Sequence, residues 1–296
     1  MALKQTGERM VPQYNSGQLM YFEHIVRYLF ASQFVKTKQV LDVACGSGYG
    51  ASILLHYGAK KVVGIDHSKD TINHAKKYYQ EPGIAFLKAE AHSLPFDDGF
   101  FDIVTTFETI EHLKSQEKFL IEIKRVLKKE GLLILSTPNG LVYKKGNPFH
   151  KKEFSPKELS KLLSKHFLKI SMFYQNNFFA NTILSPTALE KGFFDIRNIK
   201  GETQINAKNL KLFNLSSKKS LYLNVLASDK VLPRVQDLVT LFSPGLPDRA
   251  SEEMGNLSRN LKEKTRQLRE IRSSRGWKII SFLHSIRIKL PFLKNL

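Results

Sequence analysis

Two carboxylates, Asp42 and Asp66, flank a cluster of glycines at positions 46, 48 and 50. Asp66 follows Gly46 by 20 positions, the separation at which an acid hydrogen-bonds ribose hydroxyls in nucleoside-binding βαβ units. Gly46 and Gly48 let the backbone approach a ligand closely. No Walker lysine follows the turn, so a P-loop is not indicated. The spacing Gly46-x-Gly48-x-Gly50 also departs from the G-x-G-x-x-G of dinucleotide sites. Asp42 is also readable as a structural brace of the turn, and Asp66 as a helix cap in competition with Ser68. A second group, Glu111, His112 and His150, has the side chains of proton transfer, because a carboxylate or imidazole at hydrogen-bond range can take a hydroxyl proton. Each of these also has a bland reading, as a helix cap or a loop brace. No metal ligand set is assigned.

The elements that must position these residues follow from hydrophobic periodicity. A helix over 19–35 leads into alternating segments: strand 39–44, helix 48–57, strand 61–66, helix 69–80, strands 84–88 and 101–107, helix 115–129 and strand 131–137. Gly131 marks the expected end of the last helix, and Leu132-Leu133-Ile134-Leu135 has the continuous apolarity of a strand buried on both faces. Such alternation predicts a Rossmann-like, doubly wound, mostly parallel seven-stranded sheet, with its ligands at the carboxyl ends of the strands. A helix over 156–167 and strands 169–174 and 220–227 complete it. The segment 175–219 is too long for a plain connection and reads as an insertion or lid.

Residues 1–228 are thus one catalytic-type domain, followed by a linker over 229–250. Within 251–275, Met254, Leu257, Leu261, Lys264, Leu268 and Ile271 follow alternating three- and four-residue steps, with Lys264 standing in the apolar seam. They read as a short coiled coil for self-association, or as a solvated helix packed on the body. In 276–296, Trp277, Ile280, Leu283, Ile286 and Leu290 share a stripe with lysines largely opposite. That is a basic amphipathic helix, suited to peripheral membrane contact or to docking on its own domain.

Charge is distributed unevenly. Residues 1–140 carry 17 Lys and Arg against 15 Asp and Glu, whereas 141–296 carry 29 against 12. The basic excess of the back half suits an anionic partner. A single cysteine, Cys45, excludes an internal disulfide and a Cys-rich zinc site. The first residues lack the apolar core of a signal peptide, and no apolar run reaches the roughly 18 residues of a membrane span. A cytoplasmic protein is expected, with peripheral attachment to the inner face of the membrane as an option.

Val40-Leu41-Asp42-Val43-Ala44-Cys45-Gly46-Ser47-Gly48, Asp66 and Ala89-Glu90-Ala91-His92-Ser93-Leu94-Pro95-Phe96 together resemble the motifs of class I S-adenosylmethionine-dependent methyltransferases. The resemblance covers roughly residues 1–228 and is strongest to the ubiquinone-biosynthesis-like core. It implies that S-adenosyl-L-methionine is bound by Arg9, Asp42, Ala44, Gly46, Gly48, Asp66, His67, Glu90, Ala91 and Phe107. In that family the acid of the third segment meets the adenine amino group; here Glu90 stands where an aspartate is usual. Thr6-Gly7-Glu8-Arg9-Met10-Val11-Pro12, Glu23-His24-Ile25-Val26-Arg27-Tyr28 and Asn147-Pro148-Phe149-His150-Lys151-Lys152-Glu153-Phe154 resemble methyltransferases found with bacterial surface-polysaccharide enzymes.

The resemblance implies methyl transfer by direct displacement, with a sugar hydroxyl on a glycan or lipid-linked glycan as the expected acceptor. A quinone or other small-molecule acceptor is the alternative, and a scaffold role in a polysaccharide complex is the alternative of another class. Nucleic acid is disfavoured. Phe107-Glu108-Thr109-Ile110 is not the Asn/Asp-Pro-Pro-Tyr/Phe turn of amino-group methylation, and Cys45 sits in the cofactor turn rather than near the fourth strand.

Overall fold

The computed structural model describes residues 10–12, 19–143, 147–177, 196–199, 202–205 and 219–236, the two short strands 196–199 and 202–205 by their backbone alone. A helix α1 (Leu19–Ser32) precedes β1 (Gln39–Val43), α2 (Tyr49–His56), β2 (Lys61–Asp66), α3 (Lys69–Tyr79), β3 (Ile84–Lys88) and β4 (Phe101–Phe107). A 3₁₀ turn at Ile110–His112 leads to α4 (Gln116–Val126) and β5 (Leu127–Pro138), then α5 (Pro156–Leu163) and β6 (Lys169–Gln175). The hairpin β7 (Ile196–Ile199) and β8 (Glu202–Ile205) lies in the expected insertion, and β9 (Tyr222–Ser228) closes the series. The seven-stranded sheet runs β3-β2-β1-β4-β5-β9-β6, parallel except at β9, which pairs antiparallel with both neighbours. The order reverses at β1, so the gap between β1 and β4 is the switch point where α/β sheets bind ligands.

Strand alternation divides the core into two layers. Leu41 and Val43 of β1, Leu133 and Leu135 of β5, and Leu223 and Val225 of β9 pack on one face with Phe119, Phe154 and Leu159. Val40, Ile103, Leu132, Ile134 and Leu226 pack on the other with Ile25 and Tyr28 of α1 and Leu54 of α2. Helix starts are marked by side-chain caps. Ser68 accepts from Thr71 N, Ser115 accepts from Lys118 N, and Ser155 forms a capping box with Glu158 behind Pro156.

One boundary differs from the periodicity. The helix expected to reach 129 stops at Val126, and β5 begins at Leu127, which pairs with Phe101 before the register shifts to Ile103↔Leu132. Gly131 therefore sits inside the strand, where a Cβ would approach Leu127 Cδ2 to 2.8 Å and the Lys128 carbonyl to 3.0 Å. Among the described residues no helix is long and apolar enough to cross a membrane. The linker beyond 236, the coiled coil expected over 251–275 and the amphipathic helix over 276–296 lie outside the described residues, as does Arg9.

Candidate functional site

The glycine turn joins β1 to α2 at the switch point. Its chain is anchored to β2 by Cys45 N–H donating to the Ile65 carbonyl (2.8 Å). Ala44, Gly46 and Gly48 all have positive φ, at 58°, 55° and 94°; an L-residue pays about 1–2 kcal/mol for that conformation. The glycines serve different ends. A methyl group on Gly46 would meet no atom within 4 Å, so this position opens on free space. On Gly48 it would lie 2.7 Å from Ala75 Cβ, and on Gly50 only 1.9 Å from Tyr28 Cζ. Close packing, in addition to any ligand, demands glycine at 48 and 50.

Tyr28 ties this turn to α1. Its hydroxyl donates to Asp42 (3.1 Å to Oδ2), Thr105 Oγ1 donates to Asp42 Oδ1 (2.8 Å), and its ring stands edge-on to Phe107 at 4.9 Å. Asp42 is fully buried. Burial raises its pKa to about 7, opposed by those two hydrogen bonds and assisted by the charge of Asp66. Its carboxylate therefore braces β1, β4 and α1 beneath the turn. Asp66, at the end of β2, accepts from Gly46 N (3.3 Å) and Ser68 N (2.8 Å), while the helix cap itself is Ser68. His67 is exposed beside it, its Nδ1 3.4 Å from Asp66 Oδ1. Glu90 is exposed on the loop after β3, which Ala89 N ties to the Asp66 carbonyl (3.1 Å); Ala91 packs against the core. Met10 lies over the turn, its carbonyl accepting from Ser47 Oγ (3.0 Å).

The carboxyl end of β4 carries a second set of groups. Glu108 adopts φ 50° and accepts from Ser136 Oγ (2.7 Å). Arg27 Nη2 stands 3.8 Å from Glu108 Oε1, and its guanidinium lies over the Tyr222 ring at 4.2 Å. Tyr222 donates to Glu23 Oε2 (2.9 Å), and Arg27 Nε donates to Gln175 Oε1 (3.0 Å). This buried network joins α1 to β6 and β9. Periodicity marked Glu23, Arg27 and Tyr28 only as part of a helix, because their partners lie between 14 and 199 residues away.

The residues expected to do the chemistry come together on the other face of the sheet. Glu111 is fully buried and accepts from Thr137 Oγ1 at Oε2 (2.9 Å), while its Oε1 has no hydrogen-bond partner. Its backbone carbonyl accepts from Lys151 N (2.7 Å) and Lys152 N (3.2 Å), which pulls the loop carrying His150 over it. Burial, and then the charge of Glu108, push the Glu111 carboxyl well above the ordinary range. His112 Nε2 is 3.8 Å from Glu111 Oε1, and the His112 and His150 rings meet edge-on at 4.8 Å. His112 Nδ1 lies 3.2 Å from the Phe149 carbonyl, and His150 Nδ1 lies 3.2 Å from Glu153 Oε1.

Residues 41–135 match the family model described as a methyltransferase domain. The chain is 34% identical over 163 residues to a Mycobacterium tuberculosis protein named as a probable S-adenosylmethionine-dependent methyltransferase; the match covers 53% of this chain and 58% of that one. A phthiotriol/phenolphthiotriol dimycocerosates methyltransferase of the same species is 40% identical over 97 residues, 32% of this chain and 35% of its own. The chain thus spans less than two thirds of the length of these relatives. The solved PH0226 protein of Pyrococcus horikoshii shares the fold with a TM-score of 0.52, at 21% identity, covering 76% of this chain and all of that one. S-adenosylmethionine is the cofactor in the name of the first of these relatives, and the residues here fit it: open space over Gly46 and the Asp66 carboxylate at the rim.

Proposed function

We propose that this protein transfers a methyl group from S-adenosylmethionine to a hydroxyl of a sugar or lipid-linked glycan. In this reading Asp66 holds the ribose, the backbone at Gly46 receives the methionine tail, and Glu90 with the Ala91 amide meets the adenine. Ala44 and Gly48 shape the turn, Asp42 supports it from below, and His67 and Phe107 flank the ribose and methionine ends. Arg9, outside the described residues, is proposed to close over the cofactor. Bound there, S-adenosylmethionine supplies an activated methyl group. The protein's own work is then to align an acceptor oxygen with that carbon and to receive the hydroxyl proton.

The observation that carries the acceptor reading is the convergence of Glu111, His112 and His150 beside the end of β4. Such a constellation serves an acceptor that must lose a proton. A lipid-borne acceptor is supported by the phthiotriol dimycocerosates relative and by the basic back half. Calorimetry with S-adenosylmethionine tests the first half, and labelled methyl transfer to lipid-linked glycans tests the second. Failure to bind the cofactor would sink the whole reading; transfer only to a quinone would move the acceptor to the small-molecule class.

A further inference from the structure

The Glu111, His112 and His150 cluster contains one feature that proton transfer alone leaves unexplained. Glu111 Oε1 is enclosed by protein, has no hydrogen-bond partner, and lies on the side of the carboxyl that faces His112. A buried polar oxygen left in that state costs about 1–3 kcal/mol. One ligand atom from each of the three residues lies within 4.8 Å of the others. Two ligands of one tetrahedral zinc ion, each at about 2.0–2.2 Å from it, stand roughly 3.4 Å apart; the 3.8 Å between Glu111 Oε1 and His112 Nε2 is close to that. The third ligand atom, from His150, lies within the same 4.8 Å.

The surroundings are those of histidines that ligate metals. Such imidazoles present one nitrogen to the ion and give the other N–H to a backbone carbonyl or a carboxylate. His112 Nδ1 faces the Phe149 carbonyl and His150 Nδ1 faces Glu153, in both cases at 3.2 Å. Asn147 Nδ2 lies 2.9 Å from His150 Nε2, while its Oδ1 accepts from Phe149 N. That arrangement sets the His150 lone pair on Nε2, where an ion would take the amide's place. Thr137 holds the other Glu111 oxygen and orients the carboxylate.

We propose that Glu111, His112 and His150 bind one divalent transition-metal ion of the zinc class, with an open position for the acceptor hydroxyl. Two imidazoles and one carboxylate suit zinc, cobalt or iron better than magnesium or calcium, which take oxygen ligands. The role of the ion rests on the methyl-transfer reading above. Coordination acidifies the hydroxyl, whose proton leaves to water. The freed oxygen lone pair forms the O–CH3 bond as the S–CH3 pair departs with sulfur. The products are a methyl ether, S-adenosylhomocysteine and one proton.

Cobalt(II) titration of the full-length, metal-stripped protein tests the site directly, read by visible absorption and by calorimetry. One cobalt per chain is expected, with the strong visible bands of low-coordinate cobalt. Glu111→Gln and His150→Gln should each weaken it by at least tenfold, and Glu153→Gln by about tenfold to a hundredfold through His150. S-adenosylmethionine binding, measured in parallel on each variant, reports an intact fold. Absence of cobalt bands in protein that binds S-adenosylmethionine would overturn the proposal. So would bands that persist in the His112→Ala/His150→Ala double variant. Cobalt bound at these residues without cofactor affinity would uphold the ion site and sink the methyl-transfer reading instead.

Discussion

The glycine turn and the Glu–His cluster sit at the same end of the sheet but are built in different ways. The turn is contiguous: Asp42 through Gly50 run without a break from the end of β1 through a short loop into α2, and the acid that closes it, Asp66, ends the next strand. The cluster is assembled from Glu111 and His112 after β4, Thr137 at the end of β5 and His150 in the following loop. The sheet's pleat also separates them. Ser136 and Thr137 point to opposite faces, so Glu108 is held with Arg27 on the α1 side, while Glu111 is held on the side of Phe154. A site made of neighbours tolerates rearrangement elsewhere in the fold; one made of distant pieces depends on the strand register and a loop.

The two regions should therefore fail separately, and the cluster gives the largest effect. Glu111→Gln keeps the Thr137 contact but removes the charge, and turnover is expected to fall roughly 100-fold or more. Cofactor affinity should stay at the wild-type value, since Asp66 and the turn are untouched. A comparable loss of cofactor affinity would show that the two regions are one unit.

Within the turn, substitutions at Gly50 and Gly46 should part company. Gly50→Ala drives a methyl group into the buried Tyr28 ring, and the cost is expected near 3 kcal/mol, read from the urea midpoint. Gly46→Ala meets no atom and costs about 1 kcal/mol for its positive φ. Its effect belongs in cofactor affinity, because the added methyl enters the open space. If Gly46→Ala proves the more destabilising of the two, the steric account of the turn is wrong.

The same contrast explains what was legible in the sequence. Strands β1 to β4, their helices and the Asp42-to-Asp66 unit were readable because hydrophobic period, glycine and acid lie within one short stretch. Convergence of Glu111, His112 and His150 depends on the Lys151 and Lys152 amides reaching the Glu111 carbonyl, and no local pattern encodes that contact. The network of Arg27, Glu23, Tyr222 and Gln175 was invisible for the same reason. Gly131 misled for a different one: a glycine after a helix usually caps it, but here the backbone passes directly from helix to strand and the glycine relieves crowding beside Leu127.

The smallest expected effect on cofactor affinity is electrostatic and concerns Asp42, which belongs to the turn without facing its open side. Its pKa in the folded protein, about 7, lies above the ordinary 3.8 because burial opposes the charge. Between these values the folded state holds a proton that the unfolded chain has released. This contribution to stability is complete below about pH 4 and is lost as pH rises through 7, with a slope of up to about 1.4 kcal/mol per pH unit. A bound sulfonium and ammonium reverse the preference, since cations nearby favour the ionised carboxylate. That coupling is expected to be of the order of 1 kcal/mol, or roughly fivefold in Kd. S-adenosylmethionine should thus bind more tightly at pH 8 than at pH 6, and release protons on binding near neutrality. Calorimetry in buffers of different ionisation enthalpy measures that release. Asp42→Asn keeps the size of the brace but has nothing to titrate, so its affinity should be flat across the same range. A pH dependence that survives in Asp42→Asn would assign the proton to another group and leave Asp42 a purely structural support of the turn.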